Sequence, residues 1–245
     1  MKEQPEHSLL LRWLILTGLI IFSLIVAWHE DVITMLFTVD KSRICWAIAL
    51  IYLLVTFHCA NRIYTLSSQT NLSRQVDNII KNEDKISLKI EDEKVLVNNT
   101  TSLPDCFMTE YIRDLYFRNK TMKGADESGS PSDLIDVYES QLKGPQEIGW
   151  FVSDMMLKLG LLGTIIGFIF MLGSVSNIAD FDVSTMQQVL RYMSNGMGTA
   201  LYTTLAGLVC SILSAMQYHM LDRHADELVE LTRHLTQVHV IPKIN

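Results

Sequence analysis

Apolar residues gather into four long stretches along this chain: Leu9–Trp28, Ile44–Ala60, Leu159–Ala179 and Tyr192–Leu221. A helix rises about 1.5 Å per residue, so about 20 apolar residues cross a hydrocarbon core about 30 Å thick. The third and fourth stretches meet that length. The first does so with Arg12 snorkelling to the interface, and the second is short. The pattern predicts an all-α, polytopic membrane protein with four transmembrane helices and cytoplasmic helical extensions. Lys2 precedes the first run, yet Val26-Ala27-Trp28-His29 leads into Glu30 and Asp31 with no small-x-small cleavage site. A retained span is expected there, not a cleaved signal peptide.

Between the second and third stretches the pattern turns polar. Ile63, Leu66, Val76, Ile79, Ile80, Ile86, Leu88 and Ile90 recur among charges from Arg62 to Lys94, which predicts a helix or a loosely amphipathic helical pair. The run Asn98 to Pro104 breaks it, and Asp105 is placed to cap a new helix through Phe117. Met122 to Ser132, with Gly124, Gly129 and Pro131, reads as a flexible break. From Asp133 a helical pattern (Leu134, Val137, Tyr138, Leu142) leads across Gly144-Pro145 into the third span. In the short polar connection Asp180 to Arg191, Ser184 either starts a brief outward helix or simply prolongs the fourth span. The chain thus divides into an N-terminal transmembrane hairpin (1–60), a cytoplasmic helical segment (61–156), a helix pair (157–221) and a cytoplasmic tail (222–245).

Charge settles the orientation that the pattern leaves open. Eleven lysines and arginines lie between Asn61 and Asp154, against Lys41 and Arg43 in one of the other connections and Arg191 in the other. The positive-inside tendency puts the long segment and both termini in the cytoplasm. Net charge is −7 with no basic stripe, which argues against nucleic acid as a partner. Cys45, Cys59, Cys106 and Cys210 have neither metal-ligand nor redox spacing, and the tail histidines do not converge. There is no phosphate loop, nucleophile elbow or paired acid and base, so neither an enzyme nor a cofactor is expected.

The last two spans carry small residues at helical spacing. Gly160, Gly163, Thr164, Gly167 and Ser174 share one face of the third; Gly196, Ala200, Thr203, Gly207, Ser211 and Ser214 share one face of the fourth. Such faces let helices approach closely in lipid, and packing alone would explain either. Hydroxyls can also bond back to carbonyls of the preceding turn. Several threonines at one depth on two adjacent stripes fit a polar lining better, so Thr164, Thr203 and Thr204 are candidate ion-path residues. Neither span contains Asp or Glu. Threonine does not titrate near neutrality, so a proton carrier would have to come from another polypeptide. Lys158 reads as an interfacial anchor paired with Asp154, and His58 as an interfacial histidine.

Gly160-Leu-Leu-Gly-Thr-Ile-Ile-Gly167 and Gly196-Met-Gly-Thr-Ala-Leu-Tyr-Thr-Thr-Leu-Ala-Gly-Leu208 resemble the MotA/TolQ/ExbB proton-channel family, over roughly residues 145–225. The resemblance implies a pentameric ring around a dimer of a single-span, ExbD/TolR/MotB-like partner bearing a membrane aspartate. It also implies a bacterial inner-membrane location and work done on an envelope target. Matched residue by residue, Thr164 and Thr204 take the pore-threonine positions. Thr199 stands where TolQ/ExbB-type members carry a glutamate, and Leu157 where many carry a proline. Four spans resemble the flagellar MotA branch, while the motif wording resembles TolQ/ExbB.

The sequence therefore points to the ion-channel subunit of an inner-membrane motor, N-in and C-in, moving H+ or Na+. Thr164, Thr204, Thr203 and Thr199 are expected along the ion path, with Gly160, Gly163, Gly167, Gly196, Ala200, Gly207 and Ser211 on packing or pore faces. Partners are further copies, the single-span protein and lipid. The competing readings are a non-conducting helical scaffold and a small-solute secondary transporter.

Overall fold

The computed structural model describes residues 8–82, 88–91, 94–97, 101–122, 131–175 and 183–244. Helix α1 spans Ser8–His29, the short α2 Val32–Val39 and α3 Ile44–Asn82. Strands β1 (Leu88–Glu91), β2 (Lys94–Val97) and β3 (Thr101–Ser102) follow, then α4 (Phe107–Met122), α5 (Pro131–Val175) and α6 (Val183–Leu235). A π-helical turn, Thr236–Val240, leads into α7, Ile241–Ile244. Four helices, α1, α3, α5 and α6, are long and apolar enough to cross a membrane. They coincide with the four apolar stretches, and the chain is a multi-pass membrane protein.

The segment after α3 departs from the sequence reading. Leu88 and Ile90 are not helical: β1, β2 and β3 form an antiparallel sheet in the order β1-β2-β3, with Leu88 opposite Val97 and Leu96 opposite Ser102. The fold is therefore predominantly helical with one small sheet. Across Gly144-Pro145 the pattern leads into the third span, and α5 is continuous through Pro145. A proline inside a helix withholds the amide that the carbonyl four residues back would accept, and its ring crowds that turn. In the turn before Pro145, Arg62 Nη2 donates to the Leu142 carbonyl at 3.0 Å. Of the breaks expected at 98–104 and 122–132 and the connection at 180–191, residues 98–100, 123–130 and 180–182 lie outside the described residues, while Thr101–Ser102 form β3, Met122 ends α4 and Pro131 begins α5. The α6 helix starts at Val183, so residue 184 prolongs the fourth span and does not begin a separate helix.

The chain divides into two compact units. One comprises 1–10, 61–145 and 221–245. Its core joins Val76 and Ile80 of α3, Val95 of β2, Met108, Ile112 and Leu115 of α4, Ile135 of α5, and Val229 and Leu235 of α6. Around it, Lys143 bridges to Glu139 at 2.7 Å and to Asp226 at 2.5 Å, and Arg233 meets Asp136 at 3.3 Å.

The other unit comprises 11–60 and 146–220. Its core is small, centred on Cys45, Ile48, Tyr52, Met156 and Ala206. Most of its large apolar side chains point outward, with Leu201 67% exposed and Leu161 61% exposed. In water that surface would aggregate; against lipid or other apolar helices it is the expected arrangement. The start of α3 is fixed by Asp40, whose carboxylate accepts from the Cys45 amide at 2.8 Å and the Ser42 amide at 2.9 Å. Burial pushes the Asp40 carboxyl up, but the bonds from Ser42 and Cys45 outweigh it and hold it below its ordinary value.

Candidate functional site

The small-residue faces of α5 and α6 meet each other. A Cβ added at Gly160 would stand 3.0 Å from Gly207 Cα, and one at Gly207 would stand 2.8 Å from Gly160 Cα and from the Met156 carbonyl. At Gly163 it would meet Thr203 Oγ1 at 2.3 Å, and at Gly167 the Ala200 amide nitrogen at 2.7 Å. Gly196 is closed by Met171 in the same way. Below these contacts Ser153 Oγ donates to the Ser211 carbonyl at 2.9 Å. The two backbones thus approach closely enough for dispersion contacts that no larger side chain would permit. Gly160, Gly163, Gly167, Gly196, Ala200 and Gly207 are taken up in this contact within the chain, so they present no open face for a further helix.

The four candidate threonines separate into two kinds. Thr203 is fully buried under Gly163, and its hydroxyl donates within α6 to the carbonyls of Thr199 (2.9 Å) and Ala200 (3.1 Å). Thr199 is also fully buried and bonds to the Asn195 carbonyl (3.1 Å) and to that of Val39 (3.0 Å), tying α2 to α6. An ion would have to open these contacts to reach either residue. Within the single chain both are packed against neighbouring helices.

Thr204 and Thr164 lie at the margin of the helix pair, each half-buried. Thr204 Oγ1 donates to the carbonyls of Gly160 and Ala200, both at 3.2 Å. Thr164, one turn beyond Gly160, donates to the Leu161 carbonyl. Beside them Leu161, Ile165 and Phe168 on α5, and Leu201, Leu205 and Leu208 on α6, are exposed. A hydroxyl has one proton to give and two lone pairs. With the proton committed to a carbonyl, each oxygen remains an acceptor, suited to a cation, a water or a protonated carboxyl but not to a carboxylate anion.

No carboxylate or other group that titrates near neutrality accompanies them. From Met155 to Val175 and from Val183 to Ala215 there is no Asp, Glu or His. Lys158 pairs with Asp154 at 2.5 Å on an exposed surface, as an anchoring residue would. Among the described residues no three His, Cys, Asp or Glu side chains gather as metal ligands.

Sequence reasoning missed one polar junction in this unit. His58 Nδ1 lies 2.9 Å from Tyr218 Oη, and the Tyr218 ring fills the place a Cβ on Gly149 would need. No spacing along the chain pairs a residue of α3 with one of α6, so only the fold reveals it.

Residues 135–234, which hold most of α5 and nearly all of α6, match the family model described as the MotA/TolQ/ExbB proton channel family. No curated protein and no solved structure matches the chain.

Proposed function

From the place that residues 135–234 give this chain in the MotA/TolQ/ExbB proton channel family, we propose that it is the ion-conducting subunit of an inner-membrane motor. In this reading several copies, five by resemblance, form a ring with N- and C-termini in the cytoplasm. A dimer of a single-span partner occupies the centre and contributes a membrane aspartate. The observation that carries the reading is the pair Thr164 and Thr204: half-buried hydroxyls with their protons already committed, set among exposed apolar side chains, with no acid of their own.

The chemistry then divides between the two proteins. A carboxylate in hydrocarbon is heavily penalised, and protonation removes that cost. The neutral carboxyl donates its O–H to Thr204 or Thr164 and passes the apolar face of the ring. Ionisation on the cytoplasmic side resets it. Each charge crossing the membrane supplies about 2.3 kcal/mol per 100 mV. The rigid α5–α6 pair transmits the work, since glycine contacts leave it little room to shear. The ion is a proton in this scheme, because an acceptor hydroxyl pairs with a protonated carboxyl; the same oxygens would also serve Na+.

The test compares adjacent threonines. Thr204→Val removes the acceptor at the margin, and reconstituted ion flux with the partner should fall at least roughly tenfold, with assembly unchanged. Thr203→Val replaces a hydroxyl that bonds only within its own helix, and flux should stay within about twofold of the parent. Equal flux in parent and Thr204→Val would remove the basis for the proposal. A non-conducting scaffold, favoured by the use of both glycine stripes in packing, gives no flux in any variant.

A further inference from the structure

The unit that carries the threonines also holds a titratable side chain which the ion path does not use. His58 of α3 is half-buried, and Tyr218 of α6 is fully buried. The Tyr218 ring occupies the place a Cβ on Gly149 of α5 would need. Its hydroxyl lies 2.9 Å from His58 Nδ1 and 3.4 Å from the Val55 carbonyl, three residues earlier on α3. The two rings stack with centroids 6.3 Å apart and 23° between their planes. Three helices therefore meet at one phenol, and a histidine is bonded to it.

A phenol has one proton to give and can also accept, so two arrangements are open. In one, Tyr218 donates to Nδ1, the imidazole proton sits on Nε2, and no proton lies between the phenol and the Val55 carbonyl. In the other, Nδ1–H donates to Tyr218 and Tyr218 donates to Val55. The second uses both contacts. The hydrogen bond at one ring nitrogen decides which nitrogen is basic. We propose that His58 is a proton-binding site in which Tyr218 fixes Nδ1–H and Nε2 alone takes up and releases the proton. Imidazole changes charge nearest neutrality of all side chains. Protonation at Nε2 leaves the bond from Nδ1–H to Tyr218 as it was, and no other bond forms or breaks. In the first arrangement the phenol would have to reverse its proton at every cycle. The junction thus holds in either charge state, as helix contacts beside moving protons require. Within one turn of the contacting residues, the other titratable or charged side chains are Tyr52, Cys59 and Arg62 on α3, His219 and Asp222 on α6, and Glu147 on α5. This inference stands whether or not the chain conducts ions.

Nitrogen-15 NMR of the full-length protein in lipid bilayers tells the two ring nitrogens of His58 apart. Neutral His58 should carry its proton on Nδ1 in about tenfold excess over Nε2, the worth of one hydrogen bond. On acidification Nε2 should gain a proton while Nδ1 keeps its own. Tyr218→Phe leaves a ring on Gly149 but removes the acceptor, and the excess should fall several-fold. Neutral His58 found mainly as Nε2–H, or as an even mixture, overturns the proposal. So does an excess of Nδ1–H that survives Tyr218→Phe. If Tyr218→Phe does not fold, the parent spectrum decides alone: Nδ1–H in excess supports the site, and any other distribution overturns it.

Discussion

Successive residues on a helix lie about 100° apart, and that rotation separates Thr203, sealed beneath Gly163, from Thr204, half-buried beside the Gly160 carbonyl. The hydroxyls were visible in the sequence as one polar level, but which of them faces packing depends on where the partner helix lies. Spacing alone does not fix that. The glycines were legible as a close-contact face, and the contact they make proves to be with the other stripe of the same chain. Gly163 is the most constrained of them, with Thr203 Oγ1 2.3 Å from where its Cβ would be. Gly163→Ala should therefore destabilise the fold by about 1–3 kcal/mol, as overpacked cores do. Thermal unfolding in detergent would measure this. In Gly163→Ala/Thr203→Gly the loss should be smaller than the sum of the single changes, because the clash is gone.

Among the elements, α1, α3, α5 and α6 were readable because membrane spans announce themselves by length and hydropathy. The sheet was not. Ile86, Leu88 and Ile90 alternate with polar residues, a strand period, but they follow directly on the long polar end of α3 and were absorbed into its pattern. The pattern from Asp133 was read as leading across Gly144-Pro145 into the third span, and α5 is continuous through Pro145. The start of α3 offers a test at this scale. Asp40 is held below its ordinary value of 3.8 in the fold, so its ionised form is the one the fold favours. Its contribution is complete above that value and lost as pH falls through the lower folded value. Asp40→Asn should cost about 1 kcal/mol near neutrality. Stability titrated from neutral to acid should show a shallower fall in the variant than in the parent.

Taken whole, the molecule has its larger apolar core in one unit and, in the other, spans whose apolar side chains mostly face outward. That outward face has the composition of a surface meant for lipid and other helices, and the two marginal threonines interrupt it. From Met155 to Val175 and from Val183 to Met220 the chain supplies no carboxylate, and the proposed function places the proton-carrying acid on a partner. Proton uptake into vesicles containing the chain and the single-span partner proposed for it tests that dependence most directly. The pair should conduct, the chain alone should not, and replacing the partner's membrane carboxylate by its amide should stop conduction. Uptake by the chain alone, or uptake unchanged by the amide, would contradict the account.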